Sequence, residues 1–386
     1  MKVLNIILRE KFDLKKLSAV PRIAWETAKR TPKEFKTNII SNSSEKEIKK
    51  FNQNIQFVYL PGSYFSFFNN AISFCRKTGS QNTVYFLGSL SGAAVFSQKA
   101  KSRLSRIVLN IINGGIGLKE FKFVRPYDFL VEPSHCLFHP SVLGKPLELL
   151  YAKHLQGAHI IKIIVQSKRL KNKILLSSPQ AKVEQIPFGV PKSFLKTRAK
   201  TKSGPRALLY FGHIYSVRGV DDMLASASLL LENKINFEIN LIITPETNIK
   251  FLEKRLSSLP QVKAKTTLTK KYLKNLIVYL QQADLAFFLY RFSGEMPEYP
   301  LALIETMAAG IPVISTKIGA IGELFPKSTA KYCLTEPGQI KDIARKSKEL
   351  LFNQKVRNIA IKTNQKIVEE MTWEKYYDKV KKFIFI

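Results

Sequence analysis

The stretch PEYPLALIETMAAGIPVISTKIGAIGELF (297–325) sets one carboxylate, Glu305, in the middle of a run that otherwise reads as an apolar helix. A carboxylate in that setting needs a partner, or it belongs on the solvated face of the helix. Turned toward a ligand, it can accept hydrogen bonds from two vicinal hydroxyls. A tight Gly-Pro turn, a β-branched strand and a glycine-rich loop with Gly319 and Ala320 follow. A second stretch, YFGHIYSVRGVDDML (210–224), reads as strand, turn and helix. Gly212 lets backbone approach a ligand closely. Arg218 carries a permanent charge on a fork suited to phosphate, whereas His213 is only partly charged near neutral pH. The helix opening near Gly219 adds the positive end of its dipole. Those features suit an anion; the plainer alternative is a strand-turn-helix with an incidental basic residue.

Alternating apolar and amphipathic runs must position these groups. VLNIIL (3–8), TNIIS (37–41), IQFVYL (55–60), TVYFLGS (83–89), DFLVEPS (128–134) and IIKIIVQS (160–167) read as strands, with helices at Pro21–Lys29 and about Leu147–Leu155. ALLYFGH (207–213), FEINLIIT (237–244), DLAFFLY (284–290) and IPVIST (311–316) form a second series, with helices at Asp221–Leu231, Leu273–Gln281 and Leu301–Ala309. Continuous apolar strands separated by helices predict parallel sheets covered on both faces. Between the series, VPKSFLKTRAKTKSGPR has no apolar periodicity and reads as a linker. The expectation is an α/β chain with two Rossmann-like doubly wound domains facing a cleft. Their bounds are 1–190, a linker at 191–206, and 207–370. Ligands are expected beyond the carboxyl ends of the strands.

The 386 residues suit two cores, and 45 % hydrophobic with 24 % charged residues excludes a disordered chain. Cys75, Cys136 and Cys333 are too far apart for metal-ligand spacing, and a reducing, cytoplasmic compartment fits them. The opening MKVLNIILREKF is too short for a signal segment, and no run approaches the roughly 18 apolar residues of a spanning helix. The formal charge of +33 attracts polyanions of any kind, and a lysine-rich background would produce the same number. No helix-turn-helix, zinc finger, RRM or KH signature accompanies it, so specific nucleic-acid binding is not expected.

The stretch at 297–325 closely resembles the donor-site signature of glycosyltransferase family 4, the group 1 glycosyltransferases. Tyr299-Pro300, Glu305, Met307-Ala308, Gly310, Pro312-Val313 and Glu323 fall in register with it. YFGHIYSVRGVDDML resembles the family's diphosphate-binding turn, with His213 at its Arg position and Arg218 at its Lys position. The resemblance implies the GT-B fold and a retaining hexosyltransferase-type enzyme that moves a sugar from a nucleotide-diphosphate sugar to a hydroxyl. It implies that Glu305 binds the ribose hydroxyls, and that Gly212, His213, Arg218, Gly219, Gly319 and Ala320 line the donor. No metal and no cofactor beyond the nucleotide sugar are expected. Arg218, His213 and backbone N–H groups would stabilise charge on the departing diphosphate.

Further resemblances place Ser167 and Gly189-Val190 at the interdomain face, and Trp373 as the anchor of a helix (371–386) that packs back on the first domain. A family His near the donor sugar corresponds to His135 in VEPSHCLFHP, with His139 close by. The first Glu of the family signature falls on Pro297, so Glu298, one residue out of register, takes the catalytic sugar contact unless that contact is lost; Glu295 lies two residues away. Thr244-Pro245 stands where many members carry two glycines. LREKFDLKKLSAVPR, with Lys15 and Lys16, replaces the Gly-Gly loop after the first strand.

KAKSRLSRIVLNIINGGIGLKEFKFVR (99–125) surrounds an apolar run with basic residues, and PGSYFSFFNNAISF (61–74) is aromatic. This combination suits an anionic membrane surface and a peripheral place on the inner face of the cell membrane. It suggests a lipid-linked acceptor or a cell-surface glycan precursor. The rival functions are a degenerate GT-B fold acting as a binding scaffold, a nucleotide-sugar epimerase, and a nucleic-acid binder motivated by charge alone.

Overall fold

The computed structural model describes residues 2–15, 19–78, 82–101, 103, 104, 106–113, 153, 155, 157–197, 204–214, 218–245, 249–273, 275–291 and 297–385. The strand expected at 128–134, most of the helix expected at 147–155, His135, Cys136, His139 and Glu295 lie outside the described residues. The chain forms two compact units. One comprises Met1–Phe188, Gly294–Glu298 and Trp373–Ile386; the other comprises Gly189–Ser293 and Tyr299–Thr372.

The first unit contains β1 (Lys2–Leu8), α1 (Ala19–Arg30), β2 (Phe35–Ser43), β3 (Glu47–Lys50), β4 (Ile55–Pro61), α2 (Tyr64–Lys77), β5 (Asn82–Ser89) and α3 (Leu90–Ala100). β6 (Ile107–Asn113), β7 (Ile160–Val165), α4 (Lys168–Ser177) and β8 (Val183–Gln185) follow. The sheet order is β3-β4-β2-β1-β5-β6-β7-β8. Every pairing is parallel except that of the exposed edge strand β3 with β4. β1 is buried from Val3 to Leu8, as a strand covered on both faces must be. Helix ends are satisfied locally: Ser89 accepts from the Gly92 N–H at 3.1 Å, and Ser167 from the Leu170 N–H at 3.0 Å.

Among the described residues, much of the aromatic and apolar runs that suggest a membrane surface is core. Phe67, Phe68, Ala71, Ile72 and Cys75 line the inner side of α2, spaced as a buried helix face requires. Phe68 packs with Phe86 and Phe96, whose rings stack 4.9 Å apart. Ile107, Leu109 and Ile111 are buried on a central strand. Phe65 remains exposed, with the Lys99 ammonium 5.6 Å from its ring centre. No helix among the described residues is long and apolar enough to cross a membrane. The loop after β1 is anchored by buried Phe12, against Trp25 and Phe57, while Lys15 is exposed.

The second unit contains α5 (Lys192–Leu195), β9 (Arg206–Gly212), α6 (Val220–Glu232), β10 (Phe237–Ile243), α7 (Lys250–Ser257), α8 (Pro260–Ala264), β11 (Thr266–Lys270) and α9 (Leu276–Leu280). β12 (Leu285–Phe288), α10 (Leu301–Ala308), β13 (Val313–Thr316), a 3-10 turn (Ile321–Leu324), α11 (Lys327–Cys333), β14 (Leu334–Thr335), α12 (Ile340–Phe352) and α13 (Gln354–Val368) complete it. All its strands run parallel, in the order β11-β10-β9-β12-β13-β14. Part of the stretch that reads as a linker belongs to this unit: α5 is helical, and its Phe194 is buried. The two ends of the unit meet, because the Val190 N–H donates to the Met371 carbonyl at 2.7 Å.

The remaining helix, α14 (Trp373–Ile384), belongs to the first unit. Trp373 and Tyr376 are buried, and the Tyr376 hydroxyl lies 2.6 Å from that of Tyr85 on β5.

Candidate functional site

In the second sheet, strand order reverses between β9 and β12, so the connections leaving their carboxyl ends diverge and open a crevice at that edge. Gly212, His213, Arg218 and Gly219 follow β9 there, and Gly319 and Ala320 follow β13 on the same edge of the parallel sheet. The fold therefore brings together six of the residues singled out from sequence.

Each is held by its own local chemistry. Gly212 has φ +123°, and the space a Cβ would enter is open, so backbone is accessible there. His213 is exposed; its Nδ1 lies 2.8 Å from the Thr244 hydroxyl beyond β10, and its carbonyl accepts from the Tyr210 hydroxyl at 2.6 Å. Thr244 thus orients the imidazole. The Arg218 guanidinium lies 5.3 Å from the ring centre of Tyr290, the second residue after β12. Burial pushes both the Tyr290 and Tyr210 phenols up, and Arg218 pulls both back. Both hydroxyls therefore stay protonated at neutral pH and can act only as neutral dipoles.

Gly219 has a packing reason to be glycine. It caps α6 in the left-handed region, φ +69°, and a Cβ would stand 1.7 Å from the Leu289 carbonyl oxygen. The first turn of α6 carries Asp221 and Asp222, the acids favoured at a helix amino terminus. Asp222 is 1 % exposed and is gripped by both Nε and Nη2 of Arg291, with the Nε bond at 3.0 Å. Asp221 pairs with Arg255. Arg291 is not among the residues that sequence motifs single out, although a lone basic residue closing the apolar strand DLAFFLY is a usable signal.

Glu305 sits on α10, the crossover from β12 to β13, and is 3 % exposed among buried Leu301, Leu303, Ile304, Met307 and Ala308. It is therefore a carboxylate inside an apolar helix and not a group on a solvated face. Gly319 adopts φ +59°, and Ala320, in place of a second glycine, is buried at the entry to the 3-10 turn. Glu323 in that turn accepts from the Tyr299 hydroxyl at 2.7 Å, which closes the glycine-rich loop onto the start of α10. Among the described residues no group of three or more His, Cys, Asp or Glu could hold a metal ion.

Two further expected residues are Glu298 and His135. Glu298 belongs to the first unit, where it is 5 % exposed. Its Oε2 accepts from the Ser167 hydroxyl at 2.8 Å and from Arg169 Nε at 3.2 Å, and its Oε1 from Arg169 Nη2 at 2.7 Å. Its backbone N–H donates to the Ile112 carbonyl at 3.0 Å. His135 lies outside the described residues.

Two doubly wound sheets of this order have the GT-B architecture. Residues 192–367 match the family model described as glycosyl transferases group 1. Sucrose-phosphate synthase from Thermosynechococcus elongatus is similar over 99 % of this chain and 98 % of its own, with a TM-score of 0.72 and 12 % identity. The N-terminal domain of Candida albicans trehalose-6-phosphate phosphatase is similar over 100 % and 96 %, with a TM-score of 0.69 and 11 % identity. Anabaena HepE in complex with UDP and glucose is similar over 99 % and 98 %, with a TM-score of 0.69 and 12 % identity. No curated protein matches the chain.

Proposed function

We propose that the chain is a retaining glycosyltransferase of family 4 that transfers a hexosyl group from a nucleotide-diphosphate sugar to a hydroxyl acceptor. The observation that carries this reading is the convergence of Gly212, His213 and Arg218 on the crevice edge of a sheet whose residues match the group 1 model. Open backbone at Gly212, an imidazole oriented by Thr244 and a guanidinium set over Tyr290 are suited to the charge that grows on a departing diphosphate. Glu305 would receive the ribose hydroxyls. The similar Anabaena protein binds UDP and glucose, which supports a UDP-sugar donor.

The test is a thermal-shift screen against UDP, GDP, ADP and TDP sugars, with Glu305→Ala as the control. At about 100-fold excess over Kd, a ligand adds roughly 2.7 kcal/mol, enough to raise Tm by several degrees. The expected result is a rise with one base that Glu305→Ala abolishes. Silence with every donor would favour a GT-B scaffold without transfer activity. That second reading has its own support, because the Glu298 carboxylate is already occupied by Ser167 and Arg169.

For the acceptor we propose a hydroxyl on a lipid-linked or cell-surface glycan precursor, reached from an anionic membrane surface. Its support is the charge of +33 and the exposed side chains Phe65, Lys101 and Arg103 of the first unit. Binding to vesicles that contain anionic lipid, lost in high salt, is the expected outcome. Failure to bind at low salt removes the membrane from the reading and leaves the donor site untouched.

A further inference from the structure

We propose that Arg291, held by the buried Asp222, is a second permanent cation for the donor's diphosphate; this deepens the donor-binding reading above and rests on it. Arg291 is the third residue beyond β12, the strand that neighbours β9 across the point where strand order reverses. Tyr290 immediately before it carries the Arg218 guanidinium over its ring. Two guanidinium groups therefore reach the same edge of one sheet from different strands.

The charge requirement gives the second one a purpose. A diphosphate spreads its negative charge over two phosphoryl groups, and the turn after β9 offers one permanent cation, Arg218, beside His213, a side chain whose charge is not permanent. Arg291 supplies the permanent charge that His213 cannot. Asp222 takes Nε and one N–H of Nη2, the Asp221 carboxylate also acts on the guanidinium, and no other hydrogen-bond partner of Arg291 is found among the described residues. Three of its five N–H groups remain, on a side chain that is 38 % exposed. The pairing also fixes the fork before any ligand arrives, so little side-chain freedom is lost on binding. The positive end of α6, whose first turn holds Asp222, offsets part of that carboxylate's charge.

An Arg that only satisfies Asp222 would behave differently. The experiment is calorimetric titration of the full chain with UDP, GDP, ADP and TDP, the matching monophosphates and nucleosides, and glucose 6-phosphate. The proteins are wild type, Arg291→Ala and Arg291→Lys. Loss of a charge-assisted bond to a phosphoryl oxygen should weaken the bound diphosphate by about 10- to 100-fold in Arg291→Ala. The monophosphate and the nucleoside should change by less than about 3-fold, because the contact they lack cannot be lost. Arg291→Lys, which keeps a cation beside Asp222 without the fork, should show the same selective loss at roughly 3- to 10-fold. If Arg291→Ala does not fold, the Lys variant decides the matter.

Equal losses for diphosphate, monophosphate and nucleoside would assign Arg291 a structural role and overturn the proposal. So would unchanged diphosphate affinity, with or without a loss for glucose 6-phosphate; the loss would make Arg291 a reader of a phosphorylated acceptor. Wild type that binds none of the four diphosphates would instead sink the donor-binding reading, and this inference with it.

Discussion

Gly219→Ala is expected to cost the second unit about 4 kcal/mol or more, close to its whole stability. Two effects act together. A non-glycine residue in the left-handed region costs about 1–2 kcal/mol. Steric overlap costs more: the new Cβ would lie 1.7 Å from the Leu289 carbonyl oxygen and 2.6 Å from its carbonyl carbon. Both are backbone atoms just beyond β12, so no rotamer change relieves the overlap. The start of α6 would have to move away from β12, which disturbs Asp222 and Arg291. Gly212→Ala is the control, since its φ of +123° is also unfavourable while nothing stands within 4 Å of the new atom. It should cost about 1–3 kcal/mol. Urea unfolding of both variants measures the difference, and equal losses would mean that the helix does not approach the strand as closely as described.

Arg169→Ala is expected to destabilise the first unit by about 2–4 kcal/mol, more than Glu298→Ala does. The asymmetry follows from burial. Glu298 is enclosed, with its side chain 4 % exposed, whereas Arg169 is 36 % exposed. Removing the cation takes two hydrogen bonds from a buried carboxylate that keeps the Ser167 hydroxyl as a donor. Breaking a buried pair in that way costs about 3–5 kcal/mol, and the surviving bond recovers part of it. Removing the anion leaves a guanidinium that water can reach, so Glu298→Ala should cost about 1–2 kcal/mol. Denaturant midpoints decide the order. A larger loss in Glu298→Ala would show that the carboxylate does more than satisfy Arg169.

The elements are legible wherever burial on both faces writes itself into consecutive residues. β1, β7 and β9 appear as mainly apolar runs, interrupted at Asn5 and Lys162, because most of each is buried. β3 escapes a sequence reading because all four residues of EIKK are exposed, so it carries no periodicity to detect. The stretch 61–74 is ambiguous for a different reason. Phe67 and Phe68 supply the buried face of a helix while Phe65 is exposed, and composition alone does not tell a core face from a membrane-facing one.

The candidate site is legible as motifs, not as partnerships. Gly212, His213, Arg218 and Glu305 can be picked out because local spacing identifies them. That Thr244 orients His213, or that Asp222 fixes Arg291, depends on strands and helices meeting 31 and 69 residues apart in sequence. Glu298 shows the same limit. Its position one residue out of register leaves two readings open, and its partners in the fold, Ser167 and Arg169, lie 131 and 129 residues away.

The Tyr85–Tyr376 contact and buried Trp373 bear on how the molecule comes off the ribosome. Residues 189–372 lie between the two main portions of the first unit, apart from the short segment 294–298. At about 5–20 residues per second, that interval takes roughly 10–40 s to translate. For all of it, the side of β5 that Tyr376 will cover waits without its helix. The second unit, whose ends are joined by Val190 and Met371, can complete itself first. Synthesis thus supplies all of the second unit before the first unit, which began earlier, is complete.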